Sequence, residues 1–164
     1  MHTFFQLISS LLLVIFLASC TATDVRTSAE SARQPENRPE ASSYKYDAWR
    51  LTNSAEFEAI NVLLGETDLL IENHAYNAAA DKLERVLRIK PEYAPAWSRL
   101  SWLALQMSSP EHSVQMAKRS NSFAFSNPEL QALNWSFIRA ASKALNDEAS
   151  YLRATQKIDS LKMF

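Results

Sequence analysis

A single glycine, Gly65, stands in a chain of 164 residues. Tight β-hairpins and phosphate-cradling loops draw on glycine, which reaches positive φ without steric cost. Its scarcity disfavours both a β-rich fold and a nucleotide-binding loop. Alanine, leucine, glutamate, arginine and lysine are abundant instead, and all favour helix. No stretch alternates apolar and polar residues for long enough to form a strand. The expected class is therefore all-α. A chain of this length allows one domain plus accessory segments. A net charge of −1 and a pI near 6.3 supply no field that would draw nucleic acid or an anionic membrane surface.

The first residues stand apart from the fold. Phe4 to Ala18 is an almost unbroken apolar run, interrupted by Gln6, Ser9 and Ser10. It is short for a bilayer span and suits the core of a signal peptide. The run ends in Leu17-Ala18-Ser19-Cys20, and Cys20 is the only cysteine, so no disulfide can form within one chain. This tetrad resembles the lipobox of bacterial lipoproteins. The resemblance implies residues 1–19 as a lipoprotein signal peptide, cleavage before Cys20, and acylation of the Cys20 thiol and its new amine. Each buried CH₂ of such chains contributes roughly 0.8 kcal/mol of membrane affinity. Thr21, where lipoproteins retained in the inner membrane carry aspartate, implies the outer membrane, facing the periplasm. One departure is that no Lys or Arg precedes the apolar core. An ordinary signal peptide or an uncleaved anchor is the plainer alternative.

Residues 20–52 are expected to form a tether. Thr21 to Ser43 is rich in Ser, Thr, Ala, Glu, Arg and Pro and lacks apolar periodicity, so burial cannot offset its chain entropy. Roughly 30 such residues span about 30 Å as a coil and about 100 Å when drawn out. Tyr44, Tyr46, Trp49 and Leu51 follow, either to pack back on the first helix or to bind a partner.

Residues 53–164 show helical spacing throughout. Asn53 and Glu56 form a capping-box pattern, and Phe57, Ile60, Leu63, Leu64, Thr67, Leu70, Ile71 and His74 recur every three to four residues. A second helix over 77–89 buries Ala79, Leu83, Val86 and Leu87 and stops at Pro91. A third begins after Pro95, a fourth at Pro110, a fifth after Asn127-Pro128 and a sixth from Asp147.

Six helices joined by short turns invite a search for an internal period. The run Tyr76 to Pro91 resembles the second helix of a tetratricopeptide repeat, with Ala79, Leu83, Val86 and the closing proline in the motif's places. Adding the period of roughly 34 residues to Ala79, Leu83 and Val86 lands on Ser113, Ala117 and Ser120. Leu63, Trp97 and Trp135 fall at equivalent places in the first helices, so both tryptophans are expected in the core. The third unit is offset by four extra residues around Pro128 to Gln131. His74, Ser108 and Asn146 replace the turn glycine, Glu66 stands where leucine is usual, Arg139 where a small residue is usual, and Tyr151 takes a small-residue place. The resemblance implies about three helix pairs in a right-handed solenoid, acting as a monomeric protein-binding module.

A narrower resemblance rests on Ala117-Lys118-Arg119-Ser120-Asn121-Ser122-Phe123-Ala124 followed by Leu130 to Trp135 and Ile138. These segments, behind a lipobox and a polar tether, resemble a group of small tetratricopeptide lipoproteins of Gram-negative bacteria. That group includes the LpoP-type outer-membrane activators of bifunctional class A penicillin-binding proteins. The implied partner is a synthase that polymerises and crosslinks peptidoglycan. An assembly or pilotin-type lipoprotein, escorting an outer-membrane or secretion component, is the second class.

Catalytic patterns are missing from the sequence. His74 and His112 sit in equivalent turn regions, not at zinc-ligand spacing, and no Ser-His-acid motif, P-loop or dinucleotide fingerprint occurs. No enzyme activity, metal or cofactor is expected. Lys118-Arg119 reads as a solvated helix end or a docking patch. Tetratricopeptide concave surfaces are lined by the first helix of each pair. Carried over, those places are Asp68, Ile71 and Glu72, then Ser98, Trp102, Leu105 and Gln106, then Ser136, Ala140 and Lys143. Trp102, across its helix from Trp97 and Leu100, is expected either to anchor a partner in that groove or to contact the fifth helix.

Overall fold

The computed structural model describes residues 55–162. The signal core, Cys20, the tether, the Tyr44–Leu51 aromatics and the Asn53 cap lie outside the described residues. Six helices follow in order: α1 (Ala55–Glu72), α2 (Tyr76–Ile89), α3 (Ala94–Gln106), α4 (Pro110–Asn121), α5 (Pro128–Ala144) and α6 (Glu148–Lys162). No strand occurs among the described residues. Each helix packs on its neighbours in sequence, and α3 also packs on α5. That pattern makes the domain an all-α, tetratricopeptide-like array of three helix pairs.

Chain punctuation explains the boundaries. Pro95, Pro110 and Pro128 sit in the first turns of α3, α4 and α5, where a missing N–H costs nothing. The Asn127 side chain accepts from the Leu130 N–H at 2.9 Å, and Asp147 accepts from the Ser150 N–H at 3.0 Å. The three turns within the pairs share one geometry. His74, Ser108 and Asn146 all adopt left-handed backbone, with φ of 56°, 57° and 56°. At each turn two N–H groups close back on the preceding helix. His74 and Ala75 donate to Ile71 and Leu70, Ser108 and Ser109 to Leu105 and Ala104, Asn146 and Asp147 to Lys143 and Ser142. This is the paired bonding of a Schellman cap, normally built on glycine.

Small residues set how closely the helices approach. Ala79, Ser113, Ala117 and Ser120 are all fully buried, as their repeat places imply. Ser101 of α3 donates its hydroxyl to the Ser113 carbonyl of α4 at 2.9 Å and accepts from the Ser113 hydroxyl at 2.9 Å. Ser120 donates to the Ala94 carbonyl at 2.8 Å, while Asn134 of α5 donates to Ser120 and to Asn121, each at 2.8 Å. One hydroxyl thereby joins three helices.

The offset of the third unit is an added first turn. The fifth helix has 17 residues against 13 in α3, and its first four are Pro128 to Gln131. Two charged residues of α1, one of them the Glu66 departure, also find partners. Glu66 forms an ion pair with Lys82 of α2 at 2.5 Å, and the Lys82 hydrogen bond and charge hold its carboxyl below the ordinary value. Asp68 of α1 pairs with Arg99, whose side chain is almost wholly buried in α3.

The tryptophans are buried in a different order from the one expected. Trp102 is 4% exposed and lies in the main core, with the Tyr76 ring edge-on at 5.9 Å. Trp97 and Trp135 are half-buried at its margin. The cause is that α3 is enclosed on nearly its whole circumference, with 11 of its 13 residues buried. Such a helix has no free face to turn towards a groove.

Two outcomes follow for stability. Ser108→Gly removes a left-handed penalty of about 1–2 kcal/mol, offset in part by glycine's unfolded-state entropy. A net gain of about 1 kcal/mol, or roughly 4 °C in Tm, is expected in thermal melts followed by circular dichroism. Trp102→Ala empties a core site and is expected to cost about 3–5 kcal/mol in urea unfolding. Trp97→Ala, at the half-buried margin, should cost clearly less.

Candidate functional site

A docking surface must be exposed, and the ten residues carried over from the repeat pattern divide on that criterion. Ser98, Trp102 and Leu105 are buried, which removes the expected aromatic anchor from the groove. Asp68, Ile71, Gln106, Ser136 and Ala140 are half-buried, and Glu72 and Lys143 are exposed. Asp68 is already engaged by Arg99, and Ile71 and Ala140 pack against the core. Of the ten carried-over places only Glu72 and Lys143 are exposed, and neither is a large apolar residue that would drive binding.

Two other surfaces carry more chemistry. The first is a cavity of about 310 Å³ between α4, α5 and α6. Trp135 and Ile138 line it with Val114, and Lys118 and Arg153 bring charge. Trp135, expected in the core, thus shows part of its ring to this hollow.

The second surface is the end where α4 runs into α5. Lys118 and Arg119 occupy the last turn of α4, where their charge complements the carbonyl end of the helix. The Arg119 guanidinium lies 4.7 Å from the Phe123 ring centroid and 5.7 Å from that of Trp97. Both distances are within cation–π range. Trp97 is held in turn by its indole N–H, which donates to the Pro91 carbonyl at 2.7 Å. Phe123 and Trp97 therefore fix the direction of a cation that sequence alone leaves as a solvated helix end. Phe125, two residues beyond, is 82% exposed. Helical periodicity has no means of singling it out, because it lies in a connection. The nearest signal in the sequence is the four-residue offset beside it.

Among the described residues no group of three or more His, Cys, Asp or Glu could hold a metal ion. His74 lies within hydrogen-bond distance of the Tyr76 hydroxyl, at 2.9 Å.

No family model and no curated protein matches the chain. Among solved structures it is similar to the globular C-terminal domain of P. aeruginosa LpoP, at 26% sequence identity and a TM-score of 0.59. The similarity covers 68% of this chain and 99% of that one. The chain thus carries an LpoP-like helical domain, matched along nearly the full length of its counterpart.

Proposed function

We propose that this chain is an outer-membrane-anchored periplasmic lipoprotein that binds and activates a bifunctional peptidoglycan synthase of the class A penicillin-binding type. The likeness of its helical domain to the LpoP globular domain, end to end, carries the reading. The order of segments supports it: a signal core and lipobox at 1–20, a polar tether to residue 52, then the helical domain from residue 53. Such a protein works by contact. Acyl chains on Cys20 hold it at the membrane, the tether gives it reach, and the domain docks on the synthase. It raises activity only by binding the active form of the synthase more tightly than the inactive one.

The direct test uses the full lipidated chain and the class A penicillin-binding protein of the same bacterium, both purified. Saturable binding and faster glycan polymerisation are expected. A chain that neither binds the synthase nor changes its rate would refute the reading. Anchoring is tested separately. Cys20→Ala is expected to abolish labelling by a clickable palmitate analogue in cells and to leave uncleaved precursor. Normal labelling of that variant would refute acylation at Cys20.

A further inference from the structure

We infer that Phe125 is the anchor of the docking surface, a knob on a braced connection that enters an apolar pocket rimmed by carboxylates on the protein partner. The inference rests on the protein-binding role proposed above and adds the face and the chemistry of contact. Single exposed apolar residues are ordinary on protein surfaces. Phe125 differs in how much structure is devoted to holding it. The extra turn Pro128 to Gln131 supplies both supports of its connection. Leu130, 1% exposed, packs with Ala94, Ala124, Phe123 and Leu133 in a small core separate from the main one. The Gln131 side-chain amide donates to the Ala124 carbonyl at 2.7 Å. Backbone bonds from Phe123 to Ser120 at 3.0 Å and from Asn127 to Ala124 at 3.1 Å close the connection on both sides of Phe125. A backbone held in this way loses little conformational freedom on binding, so more of the burial of the side chain it carries appears as affinity.

The partner's chemistry follows from the flank. Lys118 and Arg119 are exposed in the last turn of α4, and the Arg119 guanidinium is stacked on Phe123, beside the knob. Aromatic residues and arginine are both enriched at protein interfaces relative to the rest of the surface. A pocket that receives it is apolar at its floor and acidic at its edge. Glu129, in the first turn of α5, complements the helix N-terminus.

The test measures binding of the full chain to the purified class A penicillin-binding protein. Phe125→Ala is expected to weaken binding about 30-fold with an unchanged melting curve. Phe125→Leu should recover most of the loss. Lys118→Glu should weaken binding and flatten its dependence on salt. Leu152→Ala, which removes a side chain 51% exposed on α6, serves as the control and should bind as wild type. Wild-type affinity in Phe125→Ala overturns the docking face alone. A wild-type chain that does not bind the synthase overturns both this inference and the role on which it rests. For the last arm the chain is produced from Thr21, without acyl groups, and mixed with phosphatidylglycerol vesicles. Loss of vesicle binding in Phe125→Ala with synthase affinity retained assigns the knob to lipid and overturns the inference.

Discussion

Every other element of the domain depends on the enclosure of α3. A helix buried on nearly all sides cannot satisfy itself with an apolar stripe, because its polar residues go inside too. Ser98, Arg99 and Ser101 are buried with Trp102 and Leu103. Each buried polar group must then find a partner or cost of order 1–3 kcal/mol. The neighbours are arranged to provide them. Ser113 on α4 meets Ser101, and Asp68 on α1 meets Arg99. The small residues that line α4 follow from the same need, since only a close approach lets two serines bond across a helix pair.

The Arg99–Asp68 pair shows what this enclosure exposes to risk. A buried guanidinium with a carboxylate partner adds little net stability, but removing one member leaves an uncompensated charge. The pair spans from the first helix of one repeat to the first helix of the next, and so ties neighbouring units by charge where apolar contact alone would let them slide. Ser120 performs the corresponding task further along. Its hydroxyl donates to Ala94 and accepts from Asn134, linking α3, α4 and α5 in one chain of bonds.

Much of this architecture was legible before any coordinates. Counting the repeat period located three turn positions, His74, Ser108 and Asn146, and all three are left-handed. Counting also located the buried small residues, because close helix contact leaves a compositional mark that does not depend on tertiary detail. The tryptophans were not legible in the same way. Periodicity assigns a side chain to a face of its helix, and a face means core or groove only if the helix has an outside. The third helix has almost none, so Trp102 fell inwards while Trp97 and Trp135 took the margin. Phe125 was invisible for the opposite reason. It belongs to a connection, where neither a 2-residue nor a 3.6-residue period applies, and the support of that connection comes from Leu130 and Gln131. The aromatics Tyr44 to Leu51 lie outside the described residues, and α1 shows solvent two apolar residues of one face, Val62 at 56% and Leu69 at 61% exposure.

The nearest-neighbour packing of the six helices also governs how the domain comes together in time. Nearly all its closures join segments adjacent in the chain, the topology that folds fastest among small domains. Arrays of this kind open from their ends inward. Amide protons of α1 and α6 would then exchange first and those of α3 last. The connection from α4 to α5 belongs with the slow interior, since its carbonyls are tied to α5 and its alanine sits beneath α3. The most exposed aromatic described in the domain is thus mounted on one of its last regions to open, and would keep its shape while the outer helices fray.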